Sequence, residues 1–104
     1  MVVEFEQEYQ KELYEDGKCK NKKYRFQPQV TGKYQKRIDT LMGATRLEDL
    51  FVLNSLNVEA IDSANNIFSI RVDYHYRLIF SIKTVGTEPV VTIANIIDLT
   101  NHYK

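Results

Sequence analysis

Apolar and polar residues alternate in two neighbouring runs, residues 67–72 and 77–82, near the middle of the chain. The apolar positions are Phe68, Ile70 and Val72 in the first run and Leu78, Phe80 and Ile82 in the second. Alternation of this kind is typical of a strand with one buried face, and a short polar segment between two such strands is typical of a hairpin. The pattern therefore predicts a β-hairpin over residues 67–82.

Two arginines occupy the polar face of this hairpin. A one-residue slip would turn every side chain to the other face, so the apolar pattern restricts the register. A three-residue loop at 73–75 places Arg71 directly across from Arg77, and the next permitted register makes them diagonal neighbours. Like charges facing each other destabilise a ladder. We therefore expect a compensating acid or an anionic ligand beside these arginines, and we expect Arg77 to face solvent or that ligand.

Helical patterns precede the hairpin. A short alternating strand at 3–6 comes first, and apolar residues at helical spacing follow at 7–16 and again at 28–43. Between these helices the chain forms a basic loop. The capping-box pattern of Thr45 and Glu48 introduces a short third helix.

Further strands are predicted on both sides of the hairpin. Residues 58–61 form a strand, residues 62–66 a turn, and Gly86 with Pro89 marks a second turn. Residues 90–98 are apolar on both faces, which is typical of an inner strand. Three residues of this strand, Thr92, Ala94 and Asp98, fall on one face; if that is the arginine face, the two small side chains leave space for a ligand.

The order of elements predicts an α+β fold in one domain over residues 1–104. We expect a small antiparallel sheet with a mixed edge, about four to five strands wide, with two to three N-terminal helices packed on one face. With 43% hydrophobic residues the chain can bury a single core. No apolar run approaches the roughly 18 residues of a membrane helix. The acidic N-terminal residues lack the basic region of a signal peptide, so we expect a cytoplasmic protein with no membrane partner.

Charge is distributed unevenly, although the formal net charge is zero. Residues 17–38 contain Lys and Arg but no Asp or Glu, and aromatic residues lie among them. Such a segment favours a polyanion-binding surface, since cations neutralise phosphates and rings stack on bases; the alternative is a solvated helix face and loop. The candidate residues for binding RNA or another polyanion are Lys20, Lys22, Lys23, Arg25, Lys33, Lys36 and Arg37.

Nothing in the sequence predicts a metal site or a cofactor. Cys19 is the single cysteine and lies in a polar segment, which favours an incidental surface thiol. His75 and His102 are the two histidines, and the acids show no ligand spacing around them. His75 lies in the hairpin loop, where a turn role or a contact with a partner is favoured.

Four segments resemble HigB-type toxins of the RelE/ParE superfamily. They are Gly43–Leu50, Ser69–Val72, Tyr76–Phe80 and Asp98–Lys104, and the resemblance covers Tyr34–Lys104. It implies a small antiparallel sheet with helices against it and an antitoxin encoded beside the toxin. For the HigB and RelE branches it also implies cleavage of mRNA in the ribosomal A site.

Metal-independent RNA cleavage requires a deprotonated 2′-hydroxyl, a stabilised phosphorane and a protonated leaving oxygen. Arg77 and Arg71 are candidates for the second task, because planar guanidinium groups bind phosphate oxygens in bidentate fashion. His102 is the candidate proton-transfer group, since its ordinary pKa lies near neutrality. With the resemblance, Asp98 is expected to orient His102, and Tyr103 to stack on a base or share in proton transfer.

Three functions fit these observations. The first is a ribosome-dependent mRNA endoribonuclease whose partners are the ribosome, mRNA and a cognate antitoxin of helix-turn-helix type. The second is a ParE-like gyrase poison on the same fold. The third is a catalytically degenerate binding module that acts with its antitoxin, which the neutral charge and the turn at 62–66, with no basic residue, favour.

Overall fold

The computed structural model describes residues 1–101, which form three α-helices and five strands. The elements in chain order are β1 (Val2–Phe5), α1 (Glu8–Asp16), α2 (Pro28–Gly43), α3 (Glu48–Phe51), β2 (Glu59–Asp62), β3 (Ile67–Arg71), β4 (Arg77–Val85) and β5 (Val91–Thr100). This composition confirms the predicted α+β class. None of the helices in the described part is long and apolar enough to span a membrane.

The strands form one sheet in the order β1-β5-β4-β3-β2. Strand β1 pairs with β5 in parallel, and the other three pairings are antiparallel. The predicted mixed edge is therefore correct. The last strand lies between β1 and β4, which explains why its sequence is apolar on both faces.

The β3–β4 hairpin has the register that its apolar pattern predicts. Ile70 pairs with Leu78, and Arg71 pairs with Arg77. Ile70 and Leu78 are fully buried on the core face. The N–H of Val72 donates to the Tyr76 carbonyl at 2.9 Å, so the neighbouring arginine pair is of the non-hydrogen-bonded kind, in which side chains lie closest together.

Helices α1 and α2 pack their apolar stripes against the buried face of the sheet, and together they form one core. Leu13 in α1 and Tyr34, Ile38 and Leu41 in α2 are at most 1% exposed. Burying an aliphatic side chain of this size contributes roughly 1.5–3 kcal/mol, so these stripes hold the helices against the sheet. Met42, which the apolar spacing over residues 28–43 places on this stripe, is 41% exposed and does not belong to the core.

Strand β5 contains a bulge at Ile97. Its neighbours Ile96 and Asp98 pair with consecutive residues of β4. The extra residue moves Asp98 to the face opposite the core, whereas Ala94 is fully buried in the core. The prediction that Thr92, Ala94 and Asp98 share one face is therefore wrong, and the two small residues leave no space beside the arginines.

A buried glutamine ties α1 to this bulge. Gln10 is fully buried, and its Nε2 donates to the Ile97 carbonyl at 2.8 Å. The Gln10 Oε1 accepts from the Gln7 N–H at 2.9 Å, at the start of α1. The hydroxyl of Tyr34 donates to the Gln10 carbonyl at 2.8 Å. These bonds link α1, α2 and β5 where β1 no longer pairs with β5.

Two local predictions differ from the structure. The start of α3 is stabilised by Asp49, whose Oδ2 accepts from the N–H groups of Thr45 and Arg46 at 2.9 and 3.2 Å. These bonds hold the pKa of Asp49 below its usual range, and the bond from Thr45 has the largest effect. The predicted capping box of Thr45 and Glu48 is therefore wrong. Cys19 is 8% exposed rather than a surface thiol.

Replacing Tyr34 with Phe tests the α1–α2 link. Tyr34→Phe removes a fully buried donor to the Gln10 carbonyl, so the free energy of unfolding should fall by about 1–2 kcal/mol in urea denaturation. The matched control is Tyr14→Phe, which removes an exposed hydroxyl bond to Asp39 and should change stability by less than about 0.5 kcal/mol. Equal losses in the two variants would contradict this account.

Alkaline pH tests the burial of Tyr9. Burial is the main cause that raises the pKa of Tyr9 from 10.0 to about 12. The folded form binds this proton more tightly than the unfolded chain, so its stabilising contribution is complete below pH 10.0 and is lost as the pH rises through about 12. Urea denaturation across this range should show a shallower decline for Tyr9→Phe than for the parent chain. An equally steep decline would exclude Tyr9 as a contributor.

Candidate nucleic-acid interface

Four cationic side chains meet where α2 passes the end of β3. Lys33, Lys36 and Arg37 of α2 and Arg71 of β3 line a cleft of about 490 Å³. The three helical residues are three and four positions apart, so they project from one face of α2. The cleft is completed by Ser55, Val72, Asp73 and Tyr74. We refer to it as the basic cleft.

The basic cleft forms because β3 is longer than its pairing with β2. The β2–β3 ladder stops at Ser69, so the backbone of Arg71 has no strand partner on that side. Arg37 takes the place of the missing strand, because its Nε donates to the Arg71 carbonyl at 2.8 Å. This bond holds α2 against the hairpin and brings the guanidinium group of Arg37 beside Arg71.

The two paired arginines lie in different environments. Arg71 is exposed in the basic cleft, whereas Arg77 is only 8% exposed. The Nε of Arg77 donates to Ser69 Oγ at 2.9 Å, and its Nη2 donates to the carbonyls of Asn57 and Ser69 at 2.5 and 3.3 Å. The expectation that Arg77 faces solvent is therefore wrong.

Burial of Arg77 has a structural explanation. A buried cation is tolerated only where hydrogen bonds replace its hydration. Ser69 is fully buried beside it, and Asn57 adopts a positive φ of 45° at the end of a short turn, Asn54–Leu56. Arg77 thus joins the hairpin to the segment before β2, which carries Ser55 into the basic cleft.

Asp73 fixes the turn between β3 and β4. Its Oδ1 accepts from the N–H groups of His75 and Tyr76, both at 2.8 Å. This side-chain-to-backbone pattern is an Asx turn, which replaces backbone pairing in a tight loop. Tyr74 and His75 are exposed at the tip, with their rings edge to face at 5.0 Å.

The other predicted RNA-binding residues lie apart from the basic cleft. Arg25 lines a cleft of about 290 Å³ with Cys19. Lys20 lines a smaller cleft with the acids Glu12 and Asp16, which offset its charge. Lys22 and Lys23 belong to the turn Lys22–Tyr24, and Lys23 Nζ lies 5.6 Å from the Tyr24 ring centre. The structure therefore divides the basic segment into separate surfaces.

Of the predicted terminal group, only Asp98 lies within the described residues. It pairs with Ile79, and its Oδ1 accepts from the Tyr9 hydroxyl at 3.4 Å. In that register Asp98 is a diagonal neighbour of Arg77 on the sheet. His102 and Tyr103 lie outside the described residues. Residues 1–101 contain no group of three His, Cys, Asp or Glu arranged to hold a metal ion.

Three residues that hold the site in place were not predicted from the sequence: Ser69, Asn57 and Asp73. Ser69 could have been found, because strand alternation places it on the arginine face two positions from Arg71. Asp73 could also have been found, because Asp at the start of a turn commonly accepts from the next backbone N–H groups. The contribution of Asn57 depends on its carbonyl in a distant segment, which no local pattern indicates.

Replacing each paired arginine distinguishes their roles. Arg77→Ala leaves the buried acceptors of Ser69 and the partly buried Asn57 carbonyl without this donor, so the free energy of unfolding should fall by roughly 1–3 kcal/mol. Arg71→Ala removes an exposed side chain and should change it by less than about 0.5 kcal/mol. Urea denaturation of both variants measures the difference. An Arg77→Ala protein as stable as the parent would show that these bonds do not hold the segment before β2 against the hairpin.

Comparison with known proteins places these features in a family. The family model described as "RelE-like toxin of type II toxin-antitoxin system HigB" matches residues 3–93, which include the basic cleft and the whole hairpin. No curated protein and no solved structure gives a significant match. The matched range covers most of the chain, and the observed fold agrees with it. The chain therefore belongs to the HigB-like family of RelE-like toxins of type II toxin–antitoxin systems.

Proposed function

We propose that this toxin is a ribosome-dependent endoribonuclease that cleaves mRNA and so inhibits translation. The observation that carries the proposal is the basic cleft, in which Lys33, Lys36, Arg37 and Arg71 surround a space of about 490 Å³. Lys and Arg neutralise the phosphates of an RNA backbone, and Arg adds bidentate geometry. A surface of this kind suits a polyanion better than a neutral substrate.

The chemistry of RNA cleavage gives Arg71 a specific task. The 2′-hydroxyl loses a proton, its oxygen attacks the adjacent phosphorus, and the 5′-oxygen leaves with a proton. Negative charge develops on the non-bridging oxygens, where fixed cations are most effective. Arg71 is exposed, and its backbone is held by Arg37, so its guanidinium group is available for those oxygens.

Arg77 supports this step indirectly. Its Nε and Nη2 are engaged by Ser69 and Asn57, so we assign it as a positioning residue for the hairpin. Proton transfer by His102, with Asp98 and Tyr103 assisting, stays a prediction from the sequence. The Tyr9 hydroxyl that donates to Asp98 is a further candidate for orienting that carboxylate.

Dependence on the ribosome agrees with the charge balance. The formal net charge is zero, so long-range attraction to free RNA is weak. Four cations on a single strand give a slope of about −3 for log K against log salt, which makes binding at physiological salt weak. A ribosome that presents the mRNA at high local concentration would compensate for this weakness.

Membership of a type II toxin family implies an antitoxin partner. We propose that this partner is of helix-turn-helix type, as the resemblance implies. An antitoxin that covers the basic cleft would exclude RNA from it. We infer that acidic residues of the partner contact Lys33, Lys36 or Arg71, because opposite charges favour rapid and specific association.

Primer extension in a cell-free translation system tests the proposal. The parent protein should cut a translated mRNA only when ribosomes are present. Arg71→Ala should lower the cleavage rate about 100-fold, the usual effect of removing one donor to a developing charge. The matched control is Arg46→Ala, because Arg46 is exposed and paired with Glu48 and Asp49, and it should cut at the parent rate.

Three other outcomes would contradict the proposal. Equal cutting without ribosomes would exclude ribosome dependence. Damaged DNA with intact transcripts on induced expression would indicate a gyrase poison. An intact transcript and intact DNA, with tight binding to the antitoxin, would indicate a binding module without catalysis.

A further inference from the structure

A second cleft lies on the other side of the hairpin turn. It has a volume of about 370 Å³ and is lined by Gln27, Gln29, Val30, Asp73, His75, Tyr76 and Asn101. Asp73 lines both this cleft and the basic cleft, so the two spaces adjoin at the turn. We refer to the second space as the amide cleft, because three of its residues carry carboxamide groups.

We propose that the amide cleft binds a nucleobase of the single-stranded RNA whose backbone occupies the basic cleft. The inference rests on the proposed function and adds to it a site that contacts the base. Proteins commonly divide nucleic-acid contacts in this way, with cations on the phosphates and neutral groups on the base edges. The adjoining clefts differ in charge in the way that this division requires.

The lining of the amide cleft suits a base better than a phosphate. Among the described residues that line it, none is Lys or Arg and the charged one is Asp73. In the basic cleft four cations offset this carboxylate, whereas no described residue of the amide cleft does so. Gln27, Gln29 and Asn101 each offer a carbonyl acceptor and an NH₂ donor. Carboxamides form paired hydrogen bonds with base edges, which present a donor and an acceptor side by side.

Aromatic side chains provide stacking surfaces at the same cleft. The Tyr76 ring is held edge to face against Phe26, with ring centres 5.6 Å apart. His75 is exposed, and the Asp73 carboxylate holds the backbone of both residues. Unpaired RNA bases stack on Tyr and His rings and form hydrogen bonds through their free edges. The cleft combines these two kinds of contact within one space.

The start of α2 places the glutamines on a rigid support. Gln27 is the N-cap residue, and its carbonyl accepts from the N–H groups of Val30 and Thr31 at 2.9 and 3.1 Å. Pro28 follows with a fixed φ, which stiffens the first turn. Gln29 Nε2 donates to Gln27 Oε1 at 3.3 Å, so the two amides lie side by side. The base would therefore meet a preorganised edge.

Binding of short RNAs at low salt tests the inference. The probes are fluorescein-labelled eight-nucleotide RNAs of A, C or U, and an abasic oligomer with the same ribose-phosphate backbone. Fluorescence anisotropy should show that at least one normal RNA binds about 10-fold more tightly than the abasic oligomer, as stacking of one base predicts. Comparison among the three RNAs shows which base the cleft prefers.

Variants assign that difference to the amide cleft. Gln27→Ala and His75→Ala should each reduce the preference for bases over the abasic oligomer to less than about 3-fold, and His75→Phe should restore it, because a ring is enough for stacking. Gln35→Ala is the matched control, since the Gln35 amide donates to the Tyr14 carbonyl away from the cleft. It should keep the parent preference.

The outcomes separate this inference from the proposed function. Equal affinity for abasic and normal RNA, with binding still sensitive to Arg71→Ala, would overturn the amide cleft and leave the basic cleft in place. A base preference unchanged by Gln27→Ala and His75→Ala would also overturn it. If the parent protein bound none of the RNAs at low salt, both proposals would be overturned. The same holds if Arg71→Ala bound the RNAs as tightly as the parent protein.

Discussion

Two permanently charged side chains face each other across β3 and β4, and the architecture of the site depends on how the protein separates them. Arg71 and Arg77 pair directly, in the arrangement that brings side chains closest. The Arg77 side chain is buried and donates to Ser69 and Asn57, while Arg71 lies exposed in the basic cleft. The apolar core fixes the register, so this separation relieves a repulsion that the hairpin could not avoid by slipping.

Separation of the pair joins three distant parts of the chain. Arg77 bonds the Asn57 carbonyl and holds the segment before β2, while Arg37 bonds the Arg71 carbonyl and holds α2. The walls of the basic cleft are therefore attached to one hairpin. Groups fixed before a substrate arrives lose little freedom on binding, which makes their charge more effective.

Strong local patterns explain which features could be predicted from the sequence. The hairpin register follows from strict alternation, and α2 follows from Pro28 and a regular apolar stripe. The burial of Arg77 and the position of Asp98 could not be predicted, because each depends on contacts between distant segments. Arg77 requires the Asn57 carbonyl, and the bulge that turns Asp98 is held by buried Gln10. Alternation alone indicates which face an arginine occupies, but not what covers that face.

The bond between Ser69 Oγ and Arg77 Nε has a consequence for how sequences of this family can diverge. A larger or apolar residue at position 69 would remove an acceptor from a buried cation, and a neutral residue at position 77 would leave a buried hydroxyl with nothing to accept. Neither position can change alone without a loss of stability. A paired replacement of both by apolar residues would avoid the unmatched hydroxyl and cation, and would lose the bond to the Asn57 carbonyl. We therefore expect the residues at positions 69 and 77 to covary among relatives.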